Sequence, residues 1–205
     1  YGFFVARAVL GASESMRSKL AEYNDPRLSR AFITKQGTSG KEQAPGTADN
    51  AVYAPNGTPE QGTSKYGTSL FMYSISAPTL LLSYHELKFL EAEALCRLER
   101  DAKSALKDAV VAGLLNAENS FTISRKELGK TLINAASSIT EAEAESYFDN
   151  TIEAKYTAEP LKTTMTQKYF ALWGASGEAT ESYNDVRRMK GLGENFIELK
   201  NPNSF

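Results

Sequence analysis

The chain has 205 residues, with one cysteine, one histidine and one tryptophan. A single thiol excludes an internal disulfide framework. Cys96 falls inside a helical pattern and reads as a small core residue. One histidine and one cysteine cannot supply a zinc or other soft-metal site, which needs several such ligands at fixed spacing. No apolar run approaches the roughly 20 residues that a membrane-spanning helix requires. Neither sign of charge dominates: 23 basic and 25 acidic residues leave a net charge of −2. No bulk field therefore draws the chain to nucleic acid or to an anionic membrane. An initiating methionine, a charged leader and a cleavage site are also missing. The start at Tyr1 and the turn-like end, Asn201 to Phe205, suggest a piece of a longer protein.

Catalytic patterns are equally scarce. His85 lies one turn into a helix and reads as a partly exposed helix residue, with no serine or cysteine nucleophile placed beside it by any motif. Gly37-Thr-Ser-Gly40-Lys41 is too short for a phosphate loop, and Glu42 follows the lysine. Glu91 with Glu93, and Glu141, Glu143 and Glu145, form carboxylate clusters. Residues two apart on a helix point in different directions, so these read as solvated or salt-bridged faces rather than a hydrolytic pair. No catalytic residue, metal or cofactor is assigned, and the chain is not expected to be an enzyme.

What the chain does contain is helical. Hydrophobic residues make up 41% and charged residues 23%, ordinary values for a globular domain. A first helix is expected from about Ser13 to Tyr23, stopped by Asn24-Asp25-Pro26. A short apolar piece, Leu28 to Ile33, follows. Ser83 with Glu86 and Thr140 with Glu143 have the spacing of capping boxes, each opening a helix. In the first of these, Leu87, Leu90, Ala94 and Leu98 lie on one face, and Phe89, Ala92 and Cys96 lie on the other. Two apolar stripes call for packing on both sides. Asp101 is expected to cap a second helix carrying Ala105, Leu106, Ala109, Ala112 and Gly113, after a joint of two or three residues. The pair partly matches a tetratricopeptide repeat. Ser124 to Ala136 reads as a separate helix. The helix after Thr140 carries Ala144, Tyr147, Phe148 and Ile152. Pro160 suits a first turn, Gly174 an end, and a last helix starts near Thr180. Helix-stripe aromatics, among them Tyr84, Phe89, Tyr147, Phe148, Tyr169 and Trp173, read as core.

Residues 34 to 68 differ. Gly37, Gly40, Gly46, Pro45, Pro55 and Pro59 stand among many Ser and Thr, which is loop chemistry. Tyr66 to Ile75 could form a short strand. A loop this long inside a compact domain is uncommon and usually functional or disordered. Tyr53, Tyr66 and Tyr73 lie in or beside it. Tyrosine offers a flat apolar face with a polar edge, which suits a sugar ring, so these three are the candidate ligand-binding residues.

Three segments together resemble the SusD/RagB family of nutrient-binding outer-membrane lipoproteins. They are Asn24-Asp-Pro-Arg-Leu-Ser-Arg-Ala-Phe32; Ala77-Pro-Thr-Leu-Leu-Leu-Ser-Tyr-His-Glu-Leu-Lys-Phe-Leu-Glu-Ala-Glu-Ala94; and Gln167-Lys-Tyr-Phe-Ala-Leu-Trp-Gly174 followed by Glu181-Ser-Tyr-Asn-Asp-Val-Arg-Arg188. Their order and spacing also fit, over the C-terminal portion of a family member. The resemblance implies a mainly α fold. It would be a layered helical array of tetratricopeptide-like helix pairs over residues 1–205, with residues 34–76 as an irregular, loop-rich insertion. It further implies a lipid-anchored protein on the extracellular face of the outer membrane. Such a protein binds oligosaccharide and passes it to a TonB-dependent, SusC-like transporter, without cleaving it. The anchor would lie outside this segment. The family's ligand residues form no motif to carry over. Two other readings stay open: a helical-repeat adaptor that binds a protein and no glycan, and a glycosidase using carboxylates.

Overall fold

A computed structural model describes residues 11–33, 53–56, 66–74, 76–128, 137–175 and 178–199. The elements in chain order are α1 (Glu14–Glu22), α2 (Leu28–Ala31), β1 (Phe32–Ile33), β2 (Thr68–Ser69), a 3-10 turn (Leu70–Tyr73), α3 (Tyr84–Arg97) and α4 (Lys103–Leu128). They continue with α5 (Glu141–Tyr147), a π-helical turn (Phe148–Ile152), α6 (Glu153–Ala158), α7 (Pro160–Leu172) and α8 (Ala179–Gly191). The mainly helical expectation holds. The chain divides into two compact units. The first is Tyr1–Ala77 with Glu118–Ser138 and Leu199–Phe205, and the second is Pro78–Ala117 with Ile139–Glu198.

In the first unit, Ser13 caps α1 by accepting from the Met16 amide at 3.3 Å, and Met16 and Leu20 supply its buried face. The helix stops at the Asn24-Asp25-Pro26 turn, with Asn24 at φ 49°. The next residues form a buried ion pair. Asp25 Oδ1 accepts from the Arg27 amide at 2.9 Å and from Arg27 Nε at 2.8 Å, and Asp25 Oδ2 from Nη2 at 2.6 Å. Both residues are at most 3% exposed. The chain turns through α2 into β1, which pairs antiparallel with β2, Phe32 facing Ser69 and Ile33 facing Thr68. This two-stranded ladder brings together the ends of the glycine- and proline-rich segment. Of the expected Tyr66–Ile75 strand, Ile75 lies outside the described residues and the rest is mostly not a strand: after two residues of β2, the Ser69 hydroxyl accepts from the Phe71 amide and starts the 3-10 turn. Ser124 Oγ lies 2.6 Å from the Leu70 carbonyl and 2.8 Å from that of Ser120. Phe71 packs on Phe121 at 4.8 Å.

In the second unit, α3 packs on α7, with Phe89 and Ala92 fully buried. Small residues permit close approach: a Cβ on Gly113 would sit 2.9 Å from the Ala171 Cβ. The α3–α4 joint runs over 98–102, longer than expected, because Glu99 takes a positive φ of 55° to reverse the chain. Asp101 does cap α4, accepting from the Lys103 amide at 3.0 Å. The Tyr156 hydroxyl accepts from the Ala102 amide at 2.7 Å. α4 runs unbroken to Leu128, so residues 124–128 extend it and do not start a separate helix. The rest of the expected Ser124–Ala136 helix, residues 129–136, lies outside the described residues. Pro160 opens α7 as its missing N–H predicts. Met165, Met189 and Ile197 form a core cluster under α7 and α8.

α3 departs from the two-sided expectation. Its stripe of Leu87, Leu90 and Leu98 is 51%, 42% and 66% exposed. Tyr84, read as core, is 59% exposed.

Two substitutions test this packing. Asp25→Ala leaves the Arg27 charge buried without its fork partner and should cost about 3–5 kcal/mol in urea unfolding. Gly113→Ala gains about 1 kcal/mol of helix propensity but overlaps Ala171. It should lower stability by about 1–2 kcal/mol and reduce the midpoint of thermal unfolding followed by circular dichroism.

Candidate functional site

The three candidate tyrosines are placed differently. Tyr66 is 5% exposed and belongs to the core of the first unit. Tyr53 is half-buried, meets Phe32 edge-on at 5.2 Å, and has the Arg17 guanidinium 5.6 Å from its ring centroid. Burial raises its pKa, and the charge and hydrogen bond of Arg17 partly offset that rise. Tyr73 ends the 3-10 turn, and its side chain lies outside the described residues.

The short segment 53–56 is fixed to the start of α1 by backbone pairing. The Ala54 amide donates to the Ala12 carbonyl at 2.8 Å, and the Glu14 amide donates to the Ala54 carbonyl at 3.0 Å. Ser13 Oγ then donates to Asn56 Oδ1 at 2.9 Å. Beside this junction lies a cleft of about 300 Å³ lined by Glu14, Ser15, Ser18, Lys19, Glu22 and Asn56. Spacings of one, three and four residues bring the α1 side chains to one face. Hydroxyls, carboxylates, an ammonium and an amide converge there, the donor and acceptor mixture that a polyhydroxylated ligand needs. Tyr53 is three residues from Asn56, but Arg17 occupies one face of its ring. Sequence reasoning found the tyrosine and missed the cleft, because α1 reads only as an ordinary amphipathic helix.

The second unit contains a larger cleft, about 530 Å³, between α3, α7 and α8. Its charges are engaged with each other. Glu93 accepts from Arg188 Nη2 at 2.8 Å and from Arg97 Nε at 2.7 Å. Burial would raise its pKa, but the hydrogen bonds from Arg188 and Arg97 outweigh burial and hold the carboxyl below its usual range. Lys168, 2% exposed, pairs with Asp185 at 2.7 Å. His85 is buried, contrary to the partly exposed reading, with Nε2 3.5 Å from Glu178 Oε2. The expected capping box is half formed. Ser83 Oγ accepts from the Glu86 amide at 3.1 Å, but the Ser83 amide donates to Glu178 instead of Glu86. Glu86 faces Glu178, and burial, then the hydrogen bond and charge of Glu178, push its pKa up to about 7. The lone histidine, the marked Glu93 and the Arg187-Arg188 pair are thus largely scaffold: Arg188 ties α8 to α3, while Arg187 lies 5.6 Å over the Tyr183 ring. Among the described residues, no group of three or more His, Cys, Asp or Glu could hold a metal ion.

A family model matches residues 3–191; it is a SusD-like model, described as starch-binding associating with outer membrane. The crystal structure of a SusD/RagB family protein from Bacteroides thetaiotaomicron VPI-5482 superposes with TM-score 0.91 and 60% identity, covering 99% of this chain. That of a SusD homolog from Bacteroides fragilis NCTC 9343 superposes with TM-score 0.63 and 18% identity over 88% of this chain, a likeness of fold alone. The chain spans 43% and 39% of the lengths of those two proteins. No curated protein matches it.

The Glu86–Glu178 contact sets a pH dependence. A carboxyl raised to about 7 in the folded chain keeps its proton between about pH 4.5 and 7, where the unfolded chain has released it. The folded state then binds more protons, so this group's contribution to stability falls as pH rises through that window. Glu86→Gln should remove the fall. Relative to the parent chain it should be more stable by about 1–3 kcal/mol at pH 8 than at pH 4.5, measured by urea titration at both values.

Proposed function

Since the chain belongs to the SusD-like family, we propose that it forms part of a cell-surface protein that binds oligosaccharide and delivers it to a TonB-dependent, SusC-like outer-membrane transporter. The observation that carries this reading is the 60% identity to a SusD/RagB protein over nearly the whole chain, joined to the family match over residues 3–191. In this reading residues 1–205 form one SusD-like helical segment with 34–76 as its irregular insertion. The protein sits on the extracellular face of the outer membrane through a lipid anchor outside the segment. It binds and does not cleave.

The ligand contacts belong to the tyrosine-bearing region. Tyr53 has a half-buried ring, Tyr66 precedes β2, and Tyr73 is the last residue of the 3-10 turn. The cleft beside α1 supplies polar partners within the same unit. A sugar needs both an apolar platform and hydrogen-bonding groups that are not engaged elsewhere. The large cleft of the second unit fails that requirement, because Glu93, Lys168, Asp185, Arg97 and Arg188 already satisfy one another.

Isothermal calorimetry of the protein with soluble starch-derived oligosaccharides tests this reading. Binding is expected, and Tyr53→Ala should weaken it by up to about tenfold, the value of one aromatic contact of about 1.4 kcal/mol. Failure to bind any oligosaccharide, together with a stable complex with a protein other than a transporter, would replace it with the adaptor reading.

A further inference from the structure

Two carboxyl groups compete for one amide at the start of α3. Ser83 and Glu86 stand three residues apart, the spacing at which a glutamate reaches back to the amide of the capping serine. Half of that exchange is made, with Ser83 Oγ accepting from the Glu86 amide. The other half belongs to Glu178, the residue before α8, which accepts from the Ser83 amide. Its second oxygen lies 3.5 Å from His85 Nε2. Glu178 thereby fastens the start of α8 to the start of α3, and it is buried. Glu86 has lost the amide but stays beside it, buried and hydrogen-bonded to Glu178. The Ser83 amide thus has a local carboxyl three residues on and a distant one 95 residues away, and the distant one holds it.

We propose that Glu86 and Glu178 form a proton-operated switch: with Glu86 protonated, Glu178 holds the Ser83 amide and ties α8 to α3, and with Glu86 ionised, Glu86 closes the local capping box and Glu178 is released. Two buried carboxyl groups in contact repel when both are ionised, so one proton keeps the pair together. The groups that face Glu86 do not replace that proton. His85 stands beside it on α3, and Glu178 and Glu181 face it from the start of α8. Lys168 faces it from α7, but its ammonium is already held by Asp185 at 2.7 Å. Burial, then the contact with Glu178, places the loss of the Glu86 proton near pH 7. Glu86 also lines the cleft of about 530 Å³, which gives the proton a route to water. The carboxylate that stays gains from the partial positive charge of the α3 N-terminus. Glu86 can keep the amide without ordering a distant segment of chain, which Glu178 cannot.

Hydrogen exchange tests the switch, read at single amides by mass spectrometry with electron-transfer fragmentation. The full-length protein and its Glu86→Gln variant are compared at pH 6 and pH 8.5, with rates corrected for the intrinsic pH dependence of amide exchange. The Ala179 and Glu181 amides donate to the Ala175 and Glu178 carbonyls at 3.0 and 2.9 Å. In the parent they should exchange at least tenfold faster at pH 8.5 than at pH 6, because the side chain that anchors their turn has left. The Ser83 amide should be equally protected at both values, since it changes partner without losing one. Amides of α4 between Leu106 and Leu114 should not change. Glu86→Gln, which cannot ionise, should keep Ala179 and Glu181 protected at both values. Undiminished protection of Ala179 and Glu181 in the parent at pH 8.5 overturns the proposal, because Glu86 then ionises without displacing Glu178. Loss of Ser83 protection at pH 8.5 also overturns it, because no carboxylate has taken the amide over. The same acceleration in Glu86→Gln assigns the effect to another group, and acceleration across α4 assigns it to global unfolding; either result removes the switch.

Discussion

The double clamp on Glu93 organises the second unit. A carboxylate buried on α3 is stable only when its charge is answered, and two guanidinium groups answer it: Arg97 one helical turn along and Arg188 from α8. Arg188 also holds Asp185, and Asp185 holds the buried ammonium of Lys168 on α7. Three helices are thereby fixed in relative rotation by one connected set of charges. Removing Asp185 would take the ion-pair partner from the buried ammonium of Lys168, and Glu93 needs at least one of its two arginines, so the network favours one arrangement of α3, α7 and α8 where apolar contacts alone would tolerate sliding. The Met165, Met189 and Ile197 cluster fills the space that this arrangement leaves.

The first unit relies on a smaller version of the same device. Asp25 and Arg27 form a fork two residues apart, and their burial fixes the turn between α1 and β1. That turn delivers Phe32 and Ile33 to their pairing with Ser69 and Thr68, so the ladder holds both ends of the tyrosine-bearing segment at the core. The segment 53–56 is held by backbone pairing to the beginning of α1, which brings Asn56 to the polar face of that helix.

These clamps change what the recognisable segments mean. Asp25-Pro26-Arg27, the Glu91-Ala-Glu93-Ala94 run and Arg187-Arg188 are the parts of the chain that point to the SusD-like family. In the structure Asp25 pairs with Arg27, and Glu93 pairs with Arg188 across 95 residues. In this chain Asp25, Arg27, Glu93 and Arg188 hold the scaffold. Ligand chemistry needs polar groups that the fold has not already consumed, and the cleft beside α1 is richer in them than the charged cleft of the second unit.

Local chemistry was legible from the amino acids alone. Ser83, Asp101 and Thr140 cap helices where their spacing predicts, because a cap is a bond to an amide two or three residues ahead, and Ser13, at the expected start of the first helix, caps it in the same way. Pro160 at a first turn and the stop after Tyr23 are of the same kind. The apolar stripes of α3, the mainly helical class and the three family segments also followed from residue order. Tertiary structure decided the rest. The burial of His85, the replacement of Glu86 by Glu178 at the Ser83 amide, and the union of Glu93 with Arg188 each join residues more than 90 positions apart. Which α3 stripe is covered, and the burial of Tyr66 beside a half-buried Tyr53, were likewise decided by packing. A periodic pattern states that a face is apolar. Only the packed partners state what lies against it, because the energy of burial belongs to the contact and not to the residue.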